Sequence, residues 1–215
     1  MHTTMRRLAV GALGLVFVGT TAAAVSVTVL RFSTVVRDSK PVGSDEPSWV
    51  PAQKFGEVHA GIVPDASTMT DWYYAFPTAD QRRFDAVNWN AHFVFAAVLK
   101  QRTSGYGITI KRVSLQRVSR TIRQLCVLAS IEKPRPGEAV ISRPYYSDHA
   151  VRMSNARFRL DQFHFTIPTR FVVRATSGQL LAVSRNGGSL GNSFVSSKPK
   201  RCTADLRASV EGSSR

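Results

Sequence analysis

VFAAVLKQRTSGYGITIKRVSLQRVSRTIRQLCVLASIEKPRPGEAV, residues 94–140, is the stretch whose reading decides the fold. It opens with an apolar run at 94–99 and breaks at Gln101-Arg102-Thr103-Ser104-Gly105-Tyr106-Gly107. It resumes as strands at 108–113 and 121–131, and stops at Pro134-Arg135-Pro136-Gly137. Gly105 and Gly107 give the turn a backbone freedom, positive φ included, that a Cβ forbids. The prolines flanking Arg135 fix φ and remove amide donors, so the strand before them must end. The pattern predicts a β-meander with punctuated corners.

The run 91–99 sharpens this. Phe93, Phe95, Ala97 and Leu99 share one face of a strand, while His92, Val94, Ala96 and Val98 share the other. Both faces are apolar, which predicts a central strand covered on both sides. His92 then reads as a hydrogen-bonded core or edge histidine. Upstream, 55–62 alternates as an opening strand. Ser67 or Thr68 stands where a cap would start a short helix through 69–76, laying Trp72, Tyr73 and Phe76 on a sheet. Pro77 ends that helix, and 78–83 reads as a polar loop. Downstream, Pro144-Tyr145-Tyr146 forms a corner. Strands follow near 150–153, 157–167, 171–175 and 179–184, the last two joined by the hairpin signal Thr176-Ser177-Gly178. The expected class is mainly β (α+β): an antiparallel sheet or sandwich of about seven or eight strands with one or two short helices, preceded by an N-terminal hydrophobic helix.

That helix is read from residues 8–30, which carry no charge and follow Arg6 and Arg7. The run exceeds the roughly 20 residues that cross a bilayer. A signal peptide cleaved after the small residues Ala22-Ala23-Ala24 and an uncleaved single-pass anchor both fit, and both place the rest of the chain outside the cytoplasm. Localisation is therefore read as the cell membrane with the C-terminal domain outside, or as secreted. The expected organisation is a signal or anchor segment at 1–30, a linker at 31–48, a β-rich domain at 49–185 and a basic disordered tail at 186–215.

The chain has 215 residues, of which 43% are hydrophobic, and a formal net charge of +15. Such an excess suits anionic partners or is simply a solvated basic surface. Lys111, Arg112, Arg117, Arg120 and Arg123 make a basic hairpin without interleaved aromatics, so nucleic acid is not expected, and an anionic polymer or an acidic protein surface fits better; hairpin and tail together also suit cell-wall polymer or lipid headgroups. The two cysteines, Cys126 and Cys202, have no zinc spacing. Cys126 reads as a small buried apolar residue, and a disulfide to Cys202 is permitted in an exported domain.

Catalytic near-motifs fail on context. Ser130-Ile131-Glu132-Lys133 matches S-x-x-K but closes a strand before Pro134 rather than opening a helix. Ser147-Asp148-His149 contains the three triad residue types, yet neighbours on a strand point to opposite faces. His59, His92, His149 and His164 lack metal spacing, and Asp85 and Asp161 read as carboxylates that satisfy local donors. No enzyme activity, metal or cofactor is expected; an unrecognised hydrolase is the remaining catalytic alternative.

Asp85-Ala86-Val87-Asn88, the strand to Leu99, Thr103-Ser104-Gly105-Tyr106, Pro134-Arg135-Pro136-Gly137 and Arg143-Pro144-Tyr145-Tyr146 together resemble the PrcB C-terminal domain family over residues 85–153. Ser104 stands where that family prefers glycine, and Ala86 where it prefers an aromatic. Its namesake is a lipoprotein subunit of a bacterial surface-protease complex. The resemblance implies a bacterial, extracytoplasmic, non-catalytic binding domain, with a cell-surface protein such as a protease as partner. On this reading Thr103, Ser104, Gly105, Gly107, Pro134, Pro136, Gly137 and Pro144 shape two corners. Because one connection separates them, both corners are expected at one end of a sheet, carrying Arg102, Tyr106, Arg135, Arg143 and Tyr145 as binding residues. Tyr106 folding inward, with the arginines merely solvated, is the alternative.

Overall fold

In the computed structural model, which describes residues 27–43, 53–117, 123–156, 160–161, 164–165, 169–183 and Cys202, the chain begins with β1 (Val27–Leu30), β2 (Phe32–Pro41) and β3 (Val58–Val63). Helix α1 (Ala66–Thr70), a 3-10 turn (Tyr73–Ala75) and helix α2 (Thr78–Asp85) follow. Then come β4 (His92–Gln101), β5 (Gly107–Arg117), β6 (Arg123–Glu132), β7 (Tyr145–Ser154), β8 (Leu160–Asp161), β9 (His164–Phe165), β10 (Thr169–Ala175) and β11 (Leu180–Val183). One sheet has the order β1-β5-β6-β10-β11 and the other β2-β7-β4-β3, while β8 and β9 pair only with each other.

The two large sheets pack face to face, and β4 explains why. Phe93, Phe95 and Leu99 enter a core shared with Ile108, Ile110 and Val113 of β5, Leu125 and Val127 of β6, and Phe171 and Val173 of β10. Val94, Ala96 and Val98 point the other way, under Met69, Trp72, Phe76 and Phe84 of the helical segment. The two-sided burial expected of this strand is observed: every residue from 93 to 99 is fully buried. Each buried phenylalanine contributes about 2 kcal/mol by leaving water.

Several expectations are corrected. Residues 27–30, read as the end of the hydrophobic helix, form β1 against β5, because the β-branched Val27, Thr28 and Val29 suit a strand once an edge is offered. The rest of that stretch, 8–26, lies outside the described residues, among which no helix is long and apolar enough to cross a membrane. The linker read at 31–48 contains β2, ten residues paired with β7 from Phe32↔Met153 to Pro41↔Tyr145. The folded unit therefore includes β1 and β2 and does not begin near residue 49. The polar loop at 78–83 is part of α2, started by Pro77 and seated by Phe84. The cap of α1 is Asp65, whose Oδ1 accepts the Thr68 N–H at 2.8 Å, rather than Ser67 or Thr68. The five-stranded sheet is not wholly antiparallel. β6 and β10 run parallel, because the chain returns through β7 in the other sheet before entering β10.

The tail read at 186–215 lies outside the described residues apart from Cys202. That residue is 3% exposed and bonded to Cys126 of β6, with 5.9 Å between Cα atoms across a sequence separation of 76. The disulfide sits with Val172 in a small cluster of its own.

On β3, Gly61 pairs with Ala96, and the two small residues make room for the Trp72 indole. A Cβ on Gly61 would stand 2.5 Å from Trp72 Cζ2. Trp72 is buried and tilted against His59 at 4.9 Å, so it has little space to yield. Gly61→Ala should lower stability by about 1–3 kcal/mol. A denaturant midpoint equal to wild type would show that the indole repacks freely.

Candidate functional site

β4 and β6 run toward the same end of the molecule, so the turn after β4 and the long connection after β6 meet there. Gln101 registers with Tyr145, and Gly107 with Glu132. The two connections are tied together. Ser104 N–H donates to the Ile141 carbonyl at 3.1 Å, and Ile141 N–H donates to Ser104 Oγ at 2.8 Å. A glycine at 104 would lack the second bond. Gly105 has φ +84°, and a Cβ there would meet Pro134 Cγ at 2.9 Å and Val140 Cγ1 at 3.1 Å. Arg135 N–H donates to Glu138 Oε2 at 2.8 Å, and Glu138 N–H returns to the Arg135 carbonyl at 2.9 Å, which closes the turn at Pro136-Gly137.

Two more segments reach this end. After β2, Val42 N–H donates to the Pro144 carbonyl at 2.9 Å. Before β3, Gly56 N–H donates to the Lys100 carbonyl at 2.8 Å, and Gln53 Nε2 donates to the carbonyls of Glu57 and Val98 at 2.7 and 3.0 Å. Four chain segments thus form one hydrogen-bonded platform.

The residues read as binding candidates divide on it. Arg102 is exposed, with its guanidinium 5.5 Å from the centre of the Phe55 ring. Arg143 is exposed and lies 5.5 Å over Tyr145, and Arg135 is exposed on its turn. Tyr145 itself is buried, while Tyr106 is half-buried and packed on the sandwich core. The tyrosines are internal, as in the inward alternative for Tyr106. Thr103, Ser104, Gly107 and Pro134 are half-buried, and Gly105, Pro136, Gly137 and Pro144 are exposed.

Three residues were not singled out from the sequence. Phe55, Val140 and Ile141 are 45%, 39% and 54% exposed, and they are three of the five large hydrophobic residues exposed among those described. The available signal was an apolar pair between the proline clamp and the Pro-Tyr corner, with no alternation to bury it.

A second constellation lies along β7. Strand alternation puts Asp148 on the helical side and His149 in the sandwich, so the Ser147-Asp148-His149 triplet is split between two layers. Asp148 faces Asp38 across the β2–β7 ladder, and Asp38 N–H donates to Asp148 Oδ1 at 3.3 Å. Asp80 of α2 shares a hydrogen bond with Asp38 and an ion pair with Arg83 at 3.0 Å. Burial pushes the Asp148 carboxyl up to about 8; the Asp38 N–H opposes this, and the Asp38 and Asp80 carboxylates add to it. Asp80 is also raised, first by burial. His149 Nδ1 accepts the Ile110 N–H at 2.7 Å, which leaves Nε2 to donate to Thr34 Oγ1 at 3.0 Å. Burial lowers His149 to about 4, aided by the charges of Arg37 and Lys111. Asp148 is 1% exposed and Asp80 5%, so these carboxylates lie inside the fold. Among the described residues no group of three or more His, Cys, Asp or Glu is placed to hold a metal.

These two neighbours give stability an unusual pH profile. Native Asp148 keeps its proton up to about pH 8, whereas the unfolded chain loses it near 3.8. Its stabilisation is complete below 3.8 and falls through that window by about 1.4 kcal/mol per pH unit. Native His149 stays neutral down to about pH 4, whereas the unfolded chain protonates near 6.5, so its stabilisation is lost as pH falls through that range. The slopes cancel between about 4 and 6.5 and leave a decline from 6.5 to 8. Chemical denaturation across pH should show this plateau and fall. Asp148→Asn should abolish the decline above pH 6.5; a decline that persists in that variant would rule out Asp148 as its source.

Comparison with known proteins gives no match: no family model, no curated protein and no solved structure corresponds to this chain.

Proposed function

We propose that this chain is an extracytoplasmic, non-catalytic binding domain, membrane-tethered or secreted, that serves as an accessory or stabilising partner of another surface protein such as a protease. The resemblance to the PrcB C-terminal domain family points the same way. The observation that carries the reading is the corner platform, where four segments are locked by hydrogen bonds while arginines and apolar side chains stand outward. A preorganised surface of this kind binds without first paying to order its loops. The Cys126–Cys202 disulfide supports export, since such bonds persist in oxidising compartments. Asp148 and Asp80 of the carboxylate cluster are buried, which favours a structural role for them. A binder of anionic polymer or lipid is the second reading, favoured by the net charge of +15.

Two measurements test this. Thiol labelling in intact cells should find both cysteines blocked until a reductant is added; free thiols in the native protein would end the export reading. The full chain, used as bait on native membranes, should retain a stoichiometric protein partner through a high-salt wash. Release of everything in high salt, with binding to purified cell-wall polymer instead, would replace the partner reading by the polymer one.

A further inference from the structure

We propose that the corner platform is a docking surface for an acidic segment of a partner protein that carries an apolar side chain. The proposal rests on the partner-binding reading above and specifies the chemistry of the partner.

The first argument is the state of the arginines. The Arg102 guanidinium lies 5.5 Å from the centre of the Phe55 ring, and that of Arg143 5.5 Å from the centre of the Tyr145 ring. A cation–π contact attracts the guanidinium to the ring and consumes none of its N–H donors. A carboxylate takes those donors as a bidentate pair. Neither arginine pairs with a carboxylate among the described residues, where the ion pairs are Arg37–Glu132 and Arg83–Asp80. The described acids near it have other partners: Glu57 accepts the Lys54 N–H, Glu138 the Arg135 N–H, and Glu132 bonds Arg37 of β2 and Thr109 of β5. Among the described residues the platform therefore presents these guanidinium groups to an incoming anion without a carboxylate of its own on them.

The second argument is apolar. Phe55, Val140 and Ile141 are three of the five large hydrophobic residues exposed among those described, and all three lie on the platform. Phe55 lies under Arg102, and Ile141 is bonded to Ser104 two residues from it, so the apolar and cationic groups are interleaved. Arginine beside apolar and aromatic surface is the composition of binding hot spots.

The third argument chooses protein over lipid. Val27, where the described chain begins, registers with Gln116 near the far end of β5, while the platform lies at Gly107. The run along β5 from Gly107 to Gln116 puts roughly 30 Å between these ends. An anchor read ahead of residue 27 would join the domain at that far end of β1, which favours a protein over a lipid at the platform.

The test uses the oxidised full chain and three probes: a labelled peptide with glutamates flanking a central Leu-Phe, its lysine-flanked counterpart, and phosphatidylserine vesicles. The glutamate peptide should bind and the lysine peptide should not. Arg102→Glu should weaken binding at least about tenfold, and Ile141→Ser should weaken it measurably. Arg102→Lys should lose much of the affinity despite keeping the charge, because an ammonium cannot form the fork. Arg102 and Ile141 are exposed, so their variants should keep the wild-type melt; if Arg102→Glu unfolds, Arg143→Glu carries the same comparison. No binding of the glutamate peptide, an affinity indifferent to Arg102→Glu, or tighter binding to vesicles than to the peptide would each overturn the proposal. If a native partner is still retained by variants that have lost the peptide, this surface is dismissed while the partner-binding reading stands. If the peptide binds as expected but no native protein is retained by wild type, that reading fails and the surface stands.

Discussion

The fold depends on a single strand having no wet side. β4 is fully buried from Phe93 to Leu99 and is flanked in its own sheet by β3 and β7. With backbone groups paired on both edges and side chains apolar on both faces, it needs a layer above and a layer below. The five-stranded sheet supplies one and the helical segment the other. Helices of five and eight residues are too short to persist alone. They exist because Met69, Trp72, Phe76 and Phe84 find Val94, Ala96 and Val98 beneath them. The helicity of the polar stretch around Gln81 and Arg82 is thus a consequence of tertiary packing that local composition does not announce.

The same contrast separates what was legible in the sequence from what was not. The core strands β4, β5 and β6 were readable because alternation, glycines and prolines are local signals. β2 was not. Only Val36 is buried among its ten residues, and Arg37, Asp38 and Lys40 give it the composition of a linker. It is a strand because β7 offers an edge, and its charges are what an outer strand needs to avoid pairing with other molecules. The disulfide was equally unreadable, since pairing depends on a Cα separation that only the fold sets.

β7 shows how one backbone serves two dry layers at once. Asp148 and His149 are adjacent, yet burial moves both toward neutrality from opposite charges. The sequence displayed the residue types, and alternation correctly argued against a triad. Their environments required knowing what covers each face. Bulges between Thr34 and Val36 on β2 and between Ile110 and Arg112 on β5 fall beside the two groups that bond His149. A bulge twists a strand locally and re-aims its groups. The histidine ties β2 and β7 to the opposite sheet at the place where both ladders are interrupted.

The corner platform obeys a different economy from the core. Connections normally carry the mobile backbone of a domain, but here the Ser104–Ile141 pair and the tight approach of Gly105 to Pro134 fix two of them against each other. The positions of the corners were legible, because glycine and proline mark them and a meander returns alternate connections to one end. The division of labour among their side chains was not. Tyrosine and arginine both looked like contact residues, whereas Tyr145 is buried as the surface on which Arg143 rests. An aromatic ring used this way orients a charge, and Phe55 does the same for Arg102 from a segment distant in sequence. Rigid loops, guanidinium groups set over rings and exposed aliphatic side chains all lower the ordering cost of an encounter at this face, and none of the three is required to keep β4 dry.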